Sequence, residues 1–104
     1  MATTSKALAR TAAATSNTTL YTVPNTSTTT VVTNIAVTNT ATSSATFSVL
    51  IDSVALQSGS SVAANSTVYI DCKQVIPANA TPKIISGSAS ATTVNFHISG
   101  VEIS

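Results

Sequence analysis

Val94-Asn95-Phe96-His97-Ile98-Ser99 places Val94, Phe96 and Ile98 on one side of an extended chain and Asn95, His97 and Ser99 on the other. A period of two is the mark of a half-buried β-strand, because successive side chains point to opposite faces of the pleat. After Ser99-Gly100 the apolar positions become Val101 and Ile103, one residue out of phase. Glycine beside such a phase change predicts a β-bulge that re-aims the last residues, crossing from one sheet to the other.

Working back from this strand, the same chemistry recurs. Val, Ile, Thr, Phe and Tyr suit a pleated, half-buried surface. They dominate Thr18–Val23, Thr28–Asn39, Ala45–Asp52, Val54–Leu56, Ser66–Lys73, Pro82–Ser88 and Thr92–Ile103. Between them stand turn-forming clusters such as Pro24–Ser27, Gln57–Ser60 and Pro77–Thr81. Short strands at this spacing, with no 3.6-residue apolar period after residue 17, predict an all-β, antiparallel β-sandwich. Composition alone leaves jelly-roll and immunoglobulin-like wiring equally open.

Residues 1–17 read differently. This stretch is Ala, Thr and Ser, and after Met1 its only large apolar residue is Leu8. It is expected to be an extended N-terminal arm held by something outside the 18–104 domain. Lys6 to Ala14 has the composition of a short helix, too short to be stable alone.

At 104 residues the chain is one domain's worth. Charged residues make up 7% of it, against about 25% in an ordinary soluble domain. Ser and Thr, roughly a third of the residues, take their place. The four basic residues, Lys6, Arg10, Lys73 and Lys83, are scattered, which argues against nucleic acid as a partner. No apolar run reaches the ~20 residues needed to cross a bilayer. The N-terminus lacks the apolar segment of a secretory signal, so the sequons at Asn17, Asn25, Asn65 and Asn79 are read as unglycosylated turn markers.

Chemistry-bearing residues are few. The acids are Asp52, Asp71 and Glu102, and His97 is the single histidine. General acid–base catalysis needs two titratable groups in reach of one substrate, and zinc needs three or four clustered ligands. Neither pattern is present, so no catalytic residue, metal site or cofactor is expected. Gly59, Gly87 and Gly100 are too far apart for a phosphate-binding loop. Cys72 rules out an internal disulfide and reads as a small buried hydrophobe.

Val31-Val32, Val49-Leu50-Ile51 and Val68-Tyr69-Ile70 are apolar at consecutive positions, so both faces of those strands want cover. A sandwich covers one. The expected interface residues are therefore Val32, Leu50 and Tyr69 on strand faces, with Lys6, Leu8 and Arg10 on the arm. Low charge also promotes association, so a homo-oligomer, a trimer among the options, is expected.

Four stretches together resemble the small β-sandwich virion structural proteins of tailed bacteriophages. They are Leu20–Pro24, Thr28–Thr40, Ile84–Ala89 and Val94–Ile103. Those proteins are capsid decoration (cement) proteins or tail and fibre modules. The resemblance covers about Leu20 to Ile103 and carries no catalytic residues. It implies a virion location on the capsid surface, synthesis in the bacterial host cytoplasm, and the major capsid protein or other virion proteins as partners. Other readings are a tail, neck or fibre module, or a carbohydrate- or host-surface-binding sandwich. Sugar platforms rest on exposed aromatics. Tyr21 and Tyr69 sit in apolar strands and are expected in the core, which counts against that last reading.

Overall fold

The computed structural model describes residues 3–71 and 73–104, and Cys72, read above as a buried hydrophobe, lies outside the described residues. Nine strands and no helix are found among the described residues. They are β1 (Thr3–Ala12), β2 (Thr18–Thr22), β3 (Thr29–Asn39), β4 (Ala45–Ile51), β5 (Val54–Val62), β6 (Ser66–Ile70), β7 (Gln74–Ile76), β8 (Ile84–Ala89) and β9 (Val94–Ile103). One sheet, called A here, runs β1-β9-β3-β6, with β7 also on β3. Sheet B runs β2-β8-β4-β5. All pairings are antiparallel.

The pairing decides between the two topologies. β4 pairs β5, β3 pairs β6 and β7, β2 pairs β8, and β1 pairs β9. Each pair nests outside the last, as in one long hairpin folded over on itself. With β3–β9 and β4–β8 closing the sheets, this is a jelly roll.

The inner faces supply the core, which includes Val32, Ile35, Val37, Phe47, Val49, Ile85, Val94, Phe96 and Ile98. Phe47 of sheet B meets Phe96 of sheet A edge to face, with ring centroids 6.2 Å apart. That geometry sets the positive edge of one ring against the negative face of the other. Burying each of these side chains contributes about 1.5–3 kcal/mol.

The β4–β5 hairpin turns on Asp52 and Ser53, whose φ values are 54° and 62°. Two consecutive positive φ values make a type I′ turn, whose twist matches the strands it joins. At the other end, Asn39 is fully buried. Its Nδ2 donates to the carbonyls of Ser43 (2.8 Å) and Val62 (3.5 Å), and its Oδ1 accepts from Ala41 N and Thr93 Oγ1, both at 3.1 Å.

Several expectations change. Lys6–Ala14 is not helical: it lies within and just beyond β1, which pairs with β9 along its length. Helix propensity loses here to the open edge of β9, which satisfies the backbone groups of β1. Leu8 and Ala9 are buried, and residues 3–12 of the stretch read as an arm form a strand of sheet A. Gln57–Ser60 is not a turn but the middle of β5, where Gly59 (φ 60°) donates its N–H to Ser48 Oγ. Ser66–Lys73 ends as a strand at Ile70, and Gln74–Ile76 forms the separate β7.

The bulge expected in β9 lies opposite it. The register shifts between Ala7 and Ala9 in β1, and between Val32 and Asn34 in β3. β9 itself runs straight through and stays in sheet A, so the extra residues are Leu8 and Thr33. Gly100 keeps the phase of Val94, Phe96 and Ile98 and is buried with them. Its missing side chain leaves the room that Leu8 fills: Leu8 Cδ1 lies 2.7 Å from where a Cβ on Gly100 would be. Sheet B repeats the device. The β2 register shifts between Thr19 and Tyr21, and Leu20 Cδ1 lies 3.1 Å from the corresponding point on Gly87.

Candidate interaction surface

The inner face of β9 ends on a polar cluster. Glu102 follows Gly100 in phase and so points between the sheets, where Tyr21 of β2 donates its hydroxyl to Glu102 Oε2 at 2.5 Å. The same hydroxyl is 2.8 Å from Thr30 Oγ1 of β3. Lys6 of β1 reaches Glu102 Oε1 at 3.4 Å. Burial first, then the hydrogen bond to Glu102, pushes the Tyr21 phenol up to about 12, while Thr30 pulls the other way. A phenol held protonated cannot serve as a base, so the cluster reads as a strut joining β1, β2, β3 and β9.

Other groups are equally occupied or isolated. Lys83 pairs with Asp52 at 3.4 Å. No group of three or more His, Cys, Asp or Glu that could hold a metal is found among the described residues. No helix among them is long and apolar enough to cross a membrane. No buried side-chain nitrogen or oxygen among them lacks a hydrogen-bond partner.

The outward face of sheet A has a different character. Register places Tyr69, Ala36, His97 and Arg10 in one cross-strand row. Tyr69 is 71% exposed, on the surface that its interface reading needs and not in the core where the case against a sugar platform put it, because Val68 and Ile70 take the inward positions of β6. At about 4.8 Å between strands, the Tyr69 and His97 backbones stand roughly 10 Å apart. A second row, toward the other end of the face, is Val75, Val31 and Val101, with Ile103 beside it. Val75 is 59% exposed. Among the described residues no Asp or Glu stands at an outward position of these strands.

The apolar row continues around the sandwich edge. Val75 and Gln74 of β7 share with Ile51, Val54, Ala55 and Leu56 an open groove of about 260 Å³. Asp52 of the hairpin turn forms its rim.

Of the residues expected at an interface, Tyr69 and Arg10 are on this exposed face. Leu50 is half-buried on the outward face of sheet B, between its partners Ser86 and Ala55. Lys6 is half-exposed and held by Glu102. Leu8 and Val32 are inside, at 8% and 0% exposure. Val32 takes the inward position of its pair, leaving Val31 outward. Sequence reasoning missed Val75, Val101 and Ile103 as surface residues. The phase change after Ser99 was their signal, and it marks an apolar outer face in place of a turn toward the core.

No family model and no curated protein matches the chain. Among solved structures it is similar to a chain in the structure of infectious bursal disease virus, Gx strain. The TM-score is 0.55 and the identity 15%, covering 97% of this chain and 30% of that one. This chain therefore spans under a third of the viral chain's length, and the likeness is one of fold.

Proposed function

We propose that this chain is a non-enzymatic virion structural protein, a capsid decoration module of a tailed bacteriophage that docks on the shell through the outward face of sheet A. One observation carries the proposal: that face holds a Val75–Val31–Val101 row with Ile103 toward one end and exposed Tyr69 toward the other, on a surface almost free of charge. An apolar row left open on the same face as an exposed aromatic is the making of an interface core. The jelly roll supports the reading, since this architecture recurs in viral capsid domains. The fold likeness to a virus structure points the same way. A module that only binds and braces has no need of titratable groups, which fits their scarcity.

The test is the copy number of this protein per purified particle, by quantitative mass spectrometry against the major shell protein. A ratio near one to one is expected. A few to a few dozen copies would move the protein to the neck, tail or fibres.

A second reading has its own observation. Tyr69, His97 and Arg10 share one row, and jelly rolls also serve as lectin domains. Aromatic stacking with nearby donors is how a flat face holds a sugar. Absence from particles together with binding to an acidic glycan array would favour that reading.

A further inference from the structure

We propose that the edge of β9 that β1 covers, with its notch at Gly100, is a strand-acceptor site that takes β1 from a second copy of this chain in exchange for its own. The proposal rests on the decoration reading above, in which many copies of the chain share one shell.

β1 lies at the rim of sheet A and pairs with β9 alone. Of its ten residues only Leu8 and Ala9 are buried. Most of its hold is the backbone ladder, as with a peptide added to a sheet edge. Leu8 gives that ladder its register. It is the extra residue between the Ala7–Ser99 and Ala9–Ile98 pairs, and its side chain sits in the space over Gly100. A one-residue slip would carry Leu8 out of the notch. Lys6 adds a second fixed point at Glu102. None of these contacts depends on β1 and β9 belonging to one chain.

The connection to β2 permits the exchange. Ala13 continues the ladder, its N–H donating to Val94 O at 2.8 Å, and Ala14 O then accepts from Ala89 N–H of β8 in sheet B at 3.0 Å. Thr15, Ser16 and Asn17, all exposed, are left as the hinge. Because the contacts are the same within and between chains, the balance is set by mass action. A short linker presents β1 to its own sheet at an effective concentration of about 1 mM. Copies crowded on a surface at similar density make exchange between chains competitive, and swapping an identical element is a low-cost route to assembly.

The experiment uses the full chain with Cys72→Ser to remove the native thiol. Ser5 and Val101 are direct partners across β1 and β9. The Ser5→Cys/Val101→Cys double variant, oxidised when dilute, is expected to close within one chain. Facing pairs of this kind lie within disulfide reach. The two single variants are then mixed, one of them labelled with nitrogen-15. A mixed-mass disulfide dimer in excess of the off-register background reports β1 of one copy lying on β9 of another. Its yield is expected to rise from near zero at micromolar concentration to roughly a third or more at about 1 mM.

Closure of the double variant without a mixed dimer at about 1 mM would overturn the proposal. So would equal yield from the off-register mixture of Ser5→Cys with Asn95→Cys, or failure of the double variant to close. All arms are read in free solution, so a copy number that sinks the decoration reading leaves this result standing by itself.

Discussion

Tyr21 and Glu102 tie sheet B to sheet A through one hydrogen bond, 2.5 Å from phenol to carboxylate, at the end of the sandwich where β2 faces β9. The two residues are 81 positions apart in sequence. Thr30 of β3 bonds the same Tyr21 hydroxyl and Lys6 of β1 pairs with the Glu102 carboxylate, so four strands meet in one polar cluster.

Tyr21→Phe removes the donor and leaves Glu102 and Thr30 short of a partner. A lost bond to a charged group costs about 1.5–3 kcal/mol. Urea unfolding should show a lower midpoint with an unchanged slope.

The same residue sets an alkaline limit. The folded state holds the Tyr21 proton to about 12, against 10.0 for a free phenol. Above pH 10 the unfolded chain loses this proton while the folded one keeps it, so stability falls as pH rises from 10 to 12. The loss is at most about 3 kcal/mol. Thermal melts of wild type and Tyr21→Phe between pH 9 and 12 should converge, because the variant lacks this term.

Gly100→Ala places a methyl against Leu8 Cδ1 and the carbonyl oxygen of Val31. Backbone cannot yield as a side-chain tip can, so a cost of about 1–3 kcal/mol is expected. Adding Leu8→Ala should recover only part of it. Gly87→Ala meets Ser48 O and Leu20 in the same way and should behave alike. The check is a double-mutant cycle by denaturant unfolding.

Asn39→Asp should be the most damaging single change of these. The Asn39 Nδ2 faces two carbonyl oxygens, from Ser43 and Val62, and a carboxylate there would meet acceptors with an acceptor. Removing buried partners and adding an unpaired charge costs several kcal/mol. Circular dichroism at pH 7 should show a largely unfolded chain, with partial recovery near pH 4 as the new carboxyl protonates.

Tyr69→Ala and Val75→Ser should leave the melting temperature nearly unchanged, because both side chains are exposed. On the proposed function they should lower occupancy of particles in a binding assay. Lys83→Ala, which removes only the surface pair with Asp52, should change stability by less than about 1 kcal/mol and leave occupancy intact.

That this is an all-β chain, and nearly where its strands lie, is legible in the residues alone. β3, β4 and β9 fall within two residues of the stretches that alternation and β-branched content mark out. Alternation is a local property: each residue turns its side chain opposite to the last, so the pattern needs no knowledge of partners. The unusual lack of charge was equally plain, and so were the doubly apolar strands, though their outward members are Val31, Leu50 and Tyr69. The rest depends on contacts between strands distant in the chain. Which strand pairs with which is a long-range choice, and it alone makes the sandwich a jelly roll and draws residues 3–12 into sheet A. It also decided that Leu8 is a core residue and Glu102 an inward one. A bulge belongs to a pair of strands, and no single strand's sequence says which partner carries the extra residue.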